Sequence, residues 1–340
     1  MNLRKFASKI YRKSEYVLKV NISALIRNLT LKSNGSIVIT FEANSAVDGT
    51  GAQLQRLISV YAFAKYFGFK YEHSGIKQVS VHALDPFQTE ELYIQYLEEL
   101  NAFIQFSNME KRLSLVSEFQ NYKIKFWKFM FLLLKNRLRP NLQKFSVLEP
   151  YPITEFSPGA LPSIRNVVAI NSRRATSVPH PYIALHYRQG VGGFVLYPGQ
   201  NISRETPLIQ FEEVLKGIIN NSPSPAALSL VILTDAPTSI TYFEPPLDQQ
   251  HLWIGTPGFT DGKMEIQPLD FEYLSQRFDL PIKVIRGGNP LDAIEIMSEA
   301  EYLLMGKSSL SYVAGLLNKS GKIYSPRNFW HRPLPGWRKF

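Results

Sequence analysis

From Tyr182 onward the chain alternates short apolar, β-branched runs with longer amphipathic ones, and this alternation limits the available folds more than any other feature. Tyr182–Tyr187, Leu228–Leu233, Pro281–Ile285, Tyr302–Met305 and Lys322–Tyr324 predict strands. Pro207–Asn220, Asp270–Phe278, Pro290–Ala300 and Leu310–Leu317 predict the helices between them. Strands with few polar positions are buried on both faces, as in a parallel sheet covered by helices. A similar order occurs earlier. Ser36–Glu42 predicts a strand, Asp48–Ala52 a glycine turn and Gln53–Phe67 a helix. A strand at Val79–Ala83, helices at Asp85–Phe106 and Ser114–Leu138, and an edge strand at Val167–Ile170 follow. Pro140 to Pro162 holds five prolines and reads as irregular joining chain. The expected architecture is α/β, with two Rossmann-like domains facing a cleft. Residues 35–165 and 166–325 form the two domains, after a basic leader over 1–34. The aromatic tail over 326–340 either crosses back to the first domain or plugs the sheet edge.

The 340 residues, 45% hydrophobic and 19% charged, describe a folded chain of two-domain size. No apolar run approaches the ~20 residues of a membrane span, and the leader lacks the apolar core of a secretory signal. A cytoplasmic location is expected. The chain has no cysteine, which excludes disulfides and thiolate metal sites. The net charge of +10 raises nucleic acid as a partner. The charge is concentrated, however, in two stretches that are also apolar. Residues 1–32 carry eight Lys/Arg against Glu15 alone, and Lys111–Lys144 carries nine against Glu118 alone. Basic segments interleaved with Trp, Phe and Leu suit an anionic membrane surface, while a buried connecting helix with a solvated lysine face explains them equally well.

Three loops at predicted strand ends can hold a ligand. In the first, Asp48-Gly-Thr-Gly-Ala-Gln53, Leu54 stands where a dinucleotide fingerprint has its third glycine, and no Gly-Lys-Ser/Thr ending follows. Gly49, Gly51 and Gln53 let a ligand approach the backbone, and Asp48 stands at the mouth of the turn. In the second, the strand ending His186-Tyr-Arg188 enters a glycine-rich loop, and a guanidinium there can grip a diphosphate with its planar fork of donors. The third, Gly306-Lys307-Ser308-Ser309, leads into an apolar helix. A helix start of small residues presents unpaired N–H groups and a positive dipole end, to which Lys307 adds a cation and Ser308 and Ser309 hydroxyls. A serine N-cap with no ligand has the same appearance.

The segment from Asp292 through Met297-Ser298, Ser308-Ser309-Leu310-Ser311 and Ala314 to Leu316-Leu317 resembles the C-terminal motif of α-1,2-fucosyltransferases. His186-Tyr187-Arg188 resembles the His-x-Arg motif of the wider α-1,2-, α-1,6- and protein O-fucosyltransferase group. Thr234-Asp235 is similar to the group's short Ser/Thr-Asp signature, and Asp48–Leu54 to its N-terminal glycine turn. The sequence departs from the pattern at Val191, where the group often has Asp.

The resemblance implies a GT-B, inverting glycosyltransferase without an essential metal or cofactor. Its donor is a nucleotide-diphosphate sugar, GDP-fucose first and a UDP-sugar such as UDP-xylose second, and its acceptor a glycan hydroxyl. Arg188 would hold the β-phosphate, with Ser308, Ser309 and Lys307 beside it. His186, Thr234, Asp235 and Asp292 would complete the donor site. Asp48 is the expected general base and Glu42 the next candidate. A noncatalytic carbohydrate- or nucleotide-binding protein on the same scaffold is the alternative.

Overall fold

The computed structural model describes residues 17–18, 21–31, 37–41, 49–72, 75–80, 87–106, 168–171, 178–189, 206–244, 247, 250–252, 259–319, 321–331 and 333–340, with strand backbone at 117–118 and 143–147 and scattered positions in 131–138. The chain divides into two compact units: residues 1–80 with 90–171, and residues 81–89 with 172–340.

In the first unit, strand β1 (Ile37–Phe41) is buried at every position. It lies between two parallel neighbours, β2 (Lys70–Glu72) and β5 (Gln143–Val147). A short strand β4 (Ser117–Glu118) extends the sheet to the order β2-β1-β5-β4. Helix α1 (Thr50–Phe67) is buried around most of its circumference, including Leu54, Ile58, Tyr61 and Phe67. It ends at Gly68, whose φ of 74° is left-handed, and Phe69 N–H closes the cap on the Ala64 carbonyl at 2.8 Å. Helix α2 (Glu90–Phe103) leads into β3 (Ile104–Phe106), antiparallel to β6 (Val168–Ile170).

Four expectations are corrected in this unit. The helix foreseen over Asp85–Phe106 ends at Phe103, because residues 104–106 gain a strand partner in β6. Part of the helix foreseen over Ser114–Leu138 is β4, recruited by the sheet edge. Within Pro140–Pro162, residues 143–147 form β5 and pair with β1 along their whole length. Val79 is not in a strand. The Tyr93 hydroxyl takes both its backbone groups, accepting from the N–H at 2.9 Å and donating to the carbonyl at 3.0 Å. Residues 81–83 lie outside the described residues.

The second unit is built on six parallel strands: β7 (Tyr182–Tyr187), β8 (Ser229–Thr234), β12 (Ile282–Arg286), β13 (Tyr302–Leu304), β14 (Lys322–Ser325) and β15 (Arg338–Lys339), in the order β12-β8-β7-β13-β14-β15. Helices α3 (Leu208–Asn220) and α4 (Glu272–Phe278) cover one face, where Phe211, Leu215 and Leu274 pack against Ile183, Leu185, Leu230 and Leu304. Helices α5 (Pro290–Glu299) and α6 (Ser309–Leu317) pack together, and the Tyr182 hydroxyl donates to the Ile296 carbonyl of α5 at 2.7 Å. From β7 the chain steps outward to β8 and β12, then returns across the sheet to β13 on the other side of β7. The switch point therefore lies between β7 and β13, where a doubly wound sheet opens a crevice beyond its strand ends.

Beside this sheet, β9 (Thr241–Phe243), β10 (Phe259–Thr260) and β11 (Lys263–Ile266) form a small antiparallel one that the sequence reading did not include. The tail plugs the sheet edge. β15 pairs with β14, Phe340 packs on Phe211 at 5.3 Å between ring centroids, and Trp337 lies edge-on to Tyr312 at 5.4 Å.

Candidate functional site

The carboxyl ends of β7 and β13 bring two segments 120 residues apart in sequence into hydrogen-bonding contact. Strand β7 is buried throughout its length, so the first residue past it, Arg188, emerges at the sheet's end, half-buried. Beyond β13 the chain turns through Gly306 and Lys307 to Ser308, the N-cap of α6. Arg188 Nη1 donates to Ser308 Oγ at 3.1 Å, and the same oxygen accepts the Leu310 N–H at 3.2 Å. Ser308 thus caps the helix and aims the guanidinium, while being only 1% exposed itself.

The other side of Arg188 faces the end of β8. Its Nε lies 3.9 Å from Asp235 Oδ2, within ion-pair range and beyond a hydrogen bond. Asp235 Oδ1 accepts the Gln189 N–H at 2.6 Å, fixing the first two residues beyond β7. Burial raises the Asp235 pKa, and Arg188 and the Gln189 N–H oppose that shift without cancelling it. Thr234 Oγ1 accepts the Ala236 N–H at 3.0 Å, so this threonine shapes the turn that presents Asp235. Arg286, at the end of β12, braces the same region by donating to the Ala236 carbonyl at 3.0 Å and the Leu269 carbonyl at 2.7 Å.

His186 points to the interior and is 7% exposed. Burial, with Arg188 nearby, pushes its pKa down to about 3, so the imidazole is neutral at physiological pH. Its Nδ1 is buried without a hydrogen-bond partner among the described residues. A Cβ on Gly306 would stand 2.5 Å from the His186 carbonyl oxygen and 3.3 Å from Nδ1. Only glycine allows β13 to pass β7 this closely at the base of the turn.

The remaining expected residues occupy several environments. Lys307 is half-buried in the turn beside Ser308. Ser309 Oγ lies 3.0 Å from His331 Nε2. Ser311 donates to the carbonyls of Gly306 and Ser308, at 3.0 and 3.1 Å, and serves the turn's structure. Asp292 is half-buried in the first turn of α5, whose N-cap is Asn289. In the first unit Gly49 is the N-cap of α1, while Gly51 and Gln53 are buried within that helix, Gln53 with no exposed surface. Asp48, Glu42 and Val191 lie outside the described residues.

Two residues near the turn carried no role in the sequence reading. Gln189 is buried, and its Nε2 donates to the Gln267 carbonyl at 3.1 Å. Its place directly after the His-x-Arg triplet was the available signal. His331 is buried by the tail, with its ring 4.6 Å from that of Tyr312, and it reaches Ser309 across 22 residues. No local pattern in an aperiodic aromatic tail announces that contact.

Arg188 and the opening of α6 direct positive potential at one point, next to backbone N–H groups of a helix start. A neutral, buried imidazole and a braced carboxylate border it. Such a site suits a compact dianion, above all a diphosphate. Among the described residues no group of three or more His, Cys, Asp or Glu is placed to hold a metal ion.

The second unit therefore has a parallel, doubly wound α/β sheet. No protein-family model and no curated protein sequence matches the chain. Among solved structures it is similar to POFUT1 in complex with GDP-fucose, at 11% identity and a TM-score of 0.43 over 86% of this chain and 97% of that one. It is also similar to the E. coli heptosyltransferase WaaC with ADP-2-deoxy-2-fluoro heptose, at 7% identity and 0.36 over 89% and 92%. The E. coli ADP-heptose lps heptosyltransferase II matches at 11% identity and 0.35, over 89% of each chain. Likeness of this degree assigns no role to any residue.

Proposed function

We propose that the chain is a GT-B glycosyltransferase that moves a sugar from a nucleotide-diphosphate donor to a glycan hydroxyl, with inversion and without an essential metal. The observation that carries this reading is the Arg188 guanidinium held by Ser308 at the switch point of the second unit's sheet. In the reaction, the acceptor oxygen bonds to the anomeric carbon as the bond from that carbon to the β-phosphate oxygen breaks. The electron pair leaves with the diphosphate, and the acceptor's proton passes to a general base.

The transition state resembles an oxocarbenium ion, so the protein's task is to neutralise the departing diphosphate. Arg188 does this with a charge already fixed in direction by Ser308 and Asp235. Lys307 and the first turn of α6 add to it. His186, Thr234 and Asp235 shape the donor side, and Asp292 reaches the nucleotide's base or braces the loop. Asp48, next in sequence before the N-cap Gly49 of α1, is proposed as the general base. GDP-fucose is the favoured donor, as the family resemblance implies, and a UDP-sugar such as UDP-xylose the next.

A noncatalytic nucleotide- or carbohydrate-binding role is the second reading, motivated by Val191 in place of the group's Asp. Incubation with GDP- and UDP-sugars separates the two. A transferase releases free nucleotide diphosphate slowly even without acceptor, whereas a binding protein leaves every donor intact.

A further inference from the structure

Helical residues 21–30 of the first unit bury two hydroxyl residues and leave two leucines exposed. Their inward side holds Ser23, 1% exposed, Ile26, 8%, and Thr30, 0%. Thr30 satisfies its hydroxyl on the Ile26 carbonyl at 2.9 Å. Arg27 ties the helix to the end of α1, donating to the Tyr66 carbonyl at 2.5 Å with its guanidinium 4.8 Å over the Tyr66 ring. Outward stand Leu25, 59% exposed, and Leu29, 44%, one turn apart, with Val17, Leu18 and Leu31 also 42–52% exposed nearby. Single exposed leucines are ordinary; a row of them over buried serine and threonine is not.

A second stretch of the same unit has the same character. Phe131, Leu134 and Leu138, at helical positions i, i+3 and i+7, are 70%, 37% and 82% exposed, and Lys135 and Arg137 beside them are exposed too. The charge of both regions is one-sided. Residues 1–32 carry eight Lys/Arg to one Glu, and residues 111–144 nine to one. Exposed apolar rows within stretches of chain this rich in Lys and Arg fit one partner best: a lipid surface with anionic headgroups, which takes the leucines into its acyl boundary and the cations at its phosphates. Nucleic acid would satisfy the cations and leave the leucines in water. Among the described residues no helix is long and apolar enough to cross a membrane, so the association lies in the interface plane.

We infer that the first unit docks on an anionic membrane through the Leu25–Leu29 row of its N-terminal helix, with Phe131, Leu134 and Leu138 as a second apolar contact. The inference stands on exposure and charge in the first unit and is independent of the donor site in the second.

The test is flotation of the full chain with vesicles of phosphatidylcholine alone, or of phosphatidylcholine mixed with phosphatidylglycerol. The wild type is expected to float with the mixed vesicles and not with the neutral ones, since each nearby cation strengthens binding about fivefold on an anionic surface. The double variant Leu25→Ser/Leu29→Ser, at exposed positions, should melt as the wild type does and partition about tenfold or more less strongly, given the transfer free energy of leucine. Raised salt should weaken binding of the wild type without abolishing it. Failure to float, or equal flotation of the variant, overturns the inference. So does a wild-type dimer by light scattering that the variant dissociates, because the row would then belong to a second copy of the chain.

Discussion

Ser308 separates a structural part from a binding part in the donor-site proposal, because one buried oxygen does two jobs. It caps α6 at the Leu310 N–H, 3.2 Å away, and holds Arg188 at 3.1 Å. Ser308→Ala removes a cap worth about 1 kcal/mol. It also removes a hydrogen bond to a charged group, worth roughly 1.5–3 kcal/mol. The second unit should then lose roughly 2–4 kcal/mol, which at about 2–4 °C per kcal/mol lowers its Tm by about 5–15 °C. Ser308→Asp separates the jobs. An aspartate caps a helix as well as serine does and pairs with Arg188, so the melt should return to within a few degrees of the wild type. Its charge, however, would stand about 5 Å from a bound diphosphate. At an effective dielectric of about 20 that costs about 3 kcal/mol, or roughly a hundredfold in affinity. Calorimetric melts read the first effect, and titration with GDP and UDP reads the second. An aspartate variant that is stable and binds the wild type's preferred nucleotide as tightly as the wild type does would refute the placement of the phosphate at this turn.

Two further outcomes follow from the same geometry. Gly306→Ala brings a methyl to 2.5 Å from the His186 carbonyl oxygen. Because that neighbour is backbone, the strands must part, and circular-dichroism melts should show a loss of roughly 1–3 kcal/mol, the usual cost of overpacking. Wild-type stability would mean that the strands are not held this close. His186, with its pKa pushed down to about 3, binds no proton in the folded chain where an unfolded histidine would bind one. Stability from this residue is therefore intact above an unfolded pKa of about 6.5 and is lost as pH falls toward 3, at up to about 1.4 kcal/mol per pH unit. Asp235, with its raised pKa, acts with the opposite sign at the acid end. Comparing denaturant melts of wild type and His186→Phe from pH 7 to pH 4 isolates the histidine, and the variant should show the shallower decline. Parallel profiles would place His186 in contact with water.

The second unit was legible in the sequence for a physical reason. Strands buried on both faces have little choice of residue, so β7, β8 and β13 stand out as apolar runs closed by glycine, proline or charge. The loops at their ends could then be read as ligand positions, and Arg188 and Ser308 met where the switch-point rule places a crevice. What was not legible depended on tertiary partners. Residues 104–106 continue a helical pattern and become strand only because β6 lies beside them. β15 is two residues long in an aperiodic tail, and its hydrogen bonds to β14 define it. The hairpin of β10 and β11 did carry a local signal. Asp261 and Gly262, at φ 52° and 76°, form a two-residue Asp-Gly turn between Thr260 and Lys263. Gln53 illustrates the converse. In sequence it opens a helix after a glycine turn, as a ligand-binding residue would, yet it is fully buried in α1.

The most direct measurement of the central claim is the affinity of Arg188→Ala for GDP and UDP by titration calorimetry, alongside its melting curve. The proposed role predicts wild-type affinity for one of the two nucleotides and a loss of about a hundredfold or more in the variant, which stays folded with a melt lowered by about 3–12 °C through loss of the bond to Ser308. Equal binding by wild type and variant, with both folded, would contradict it.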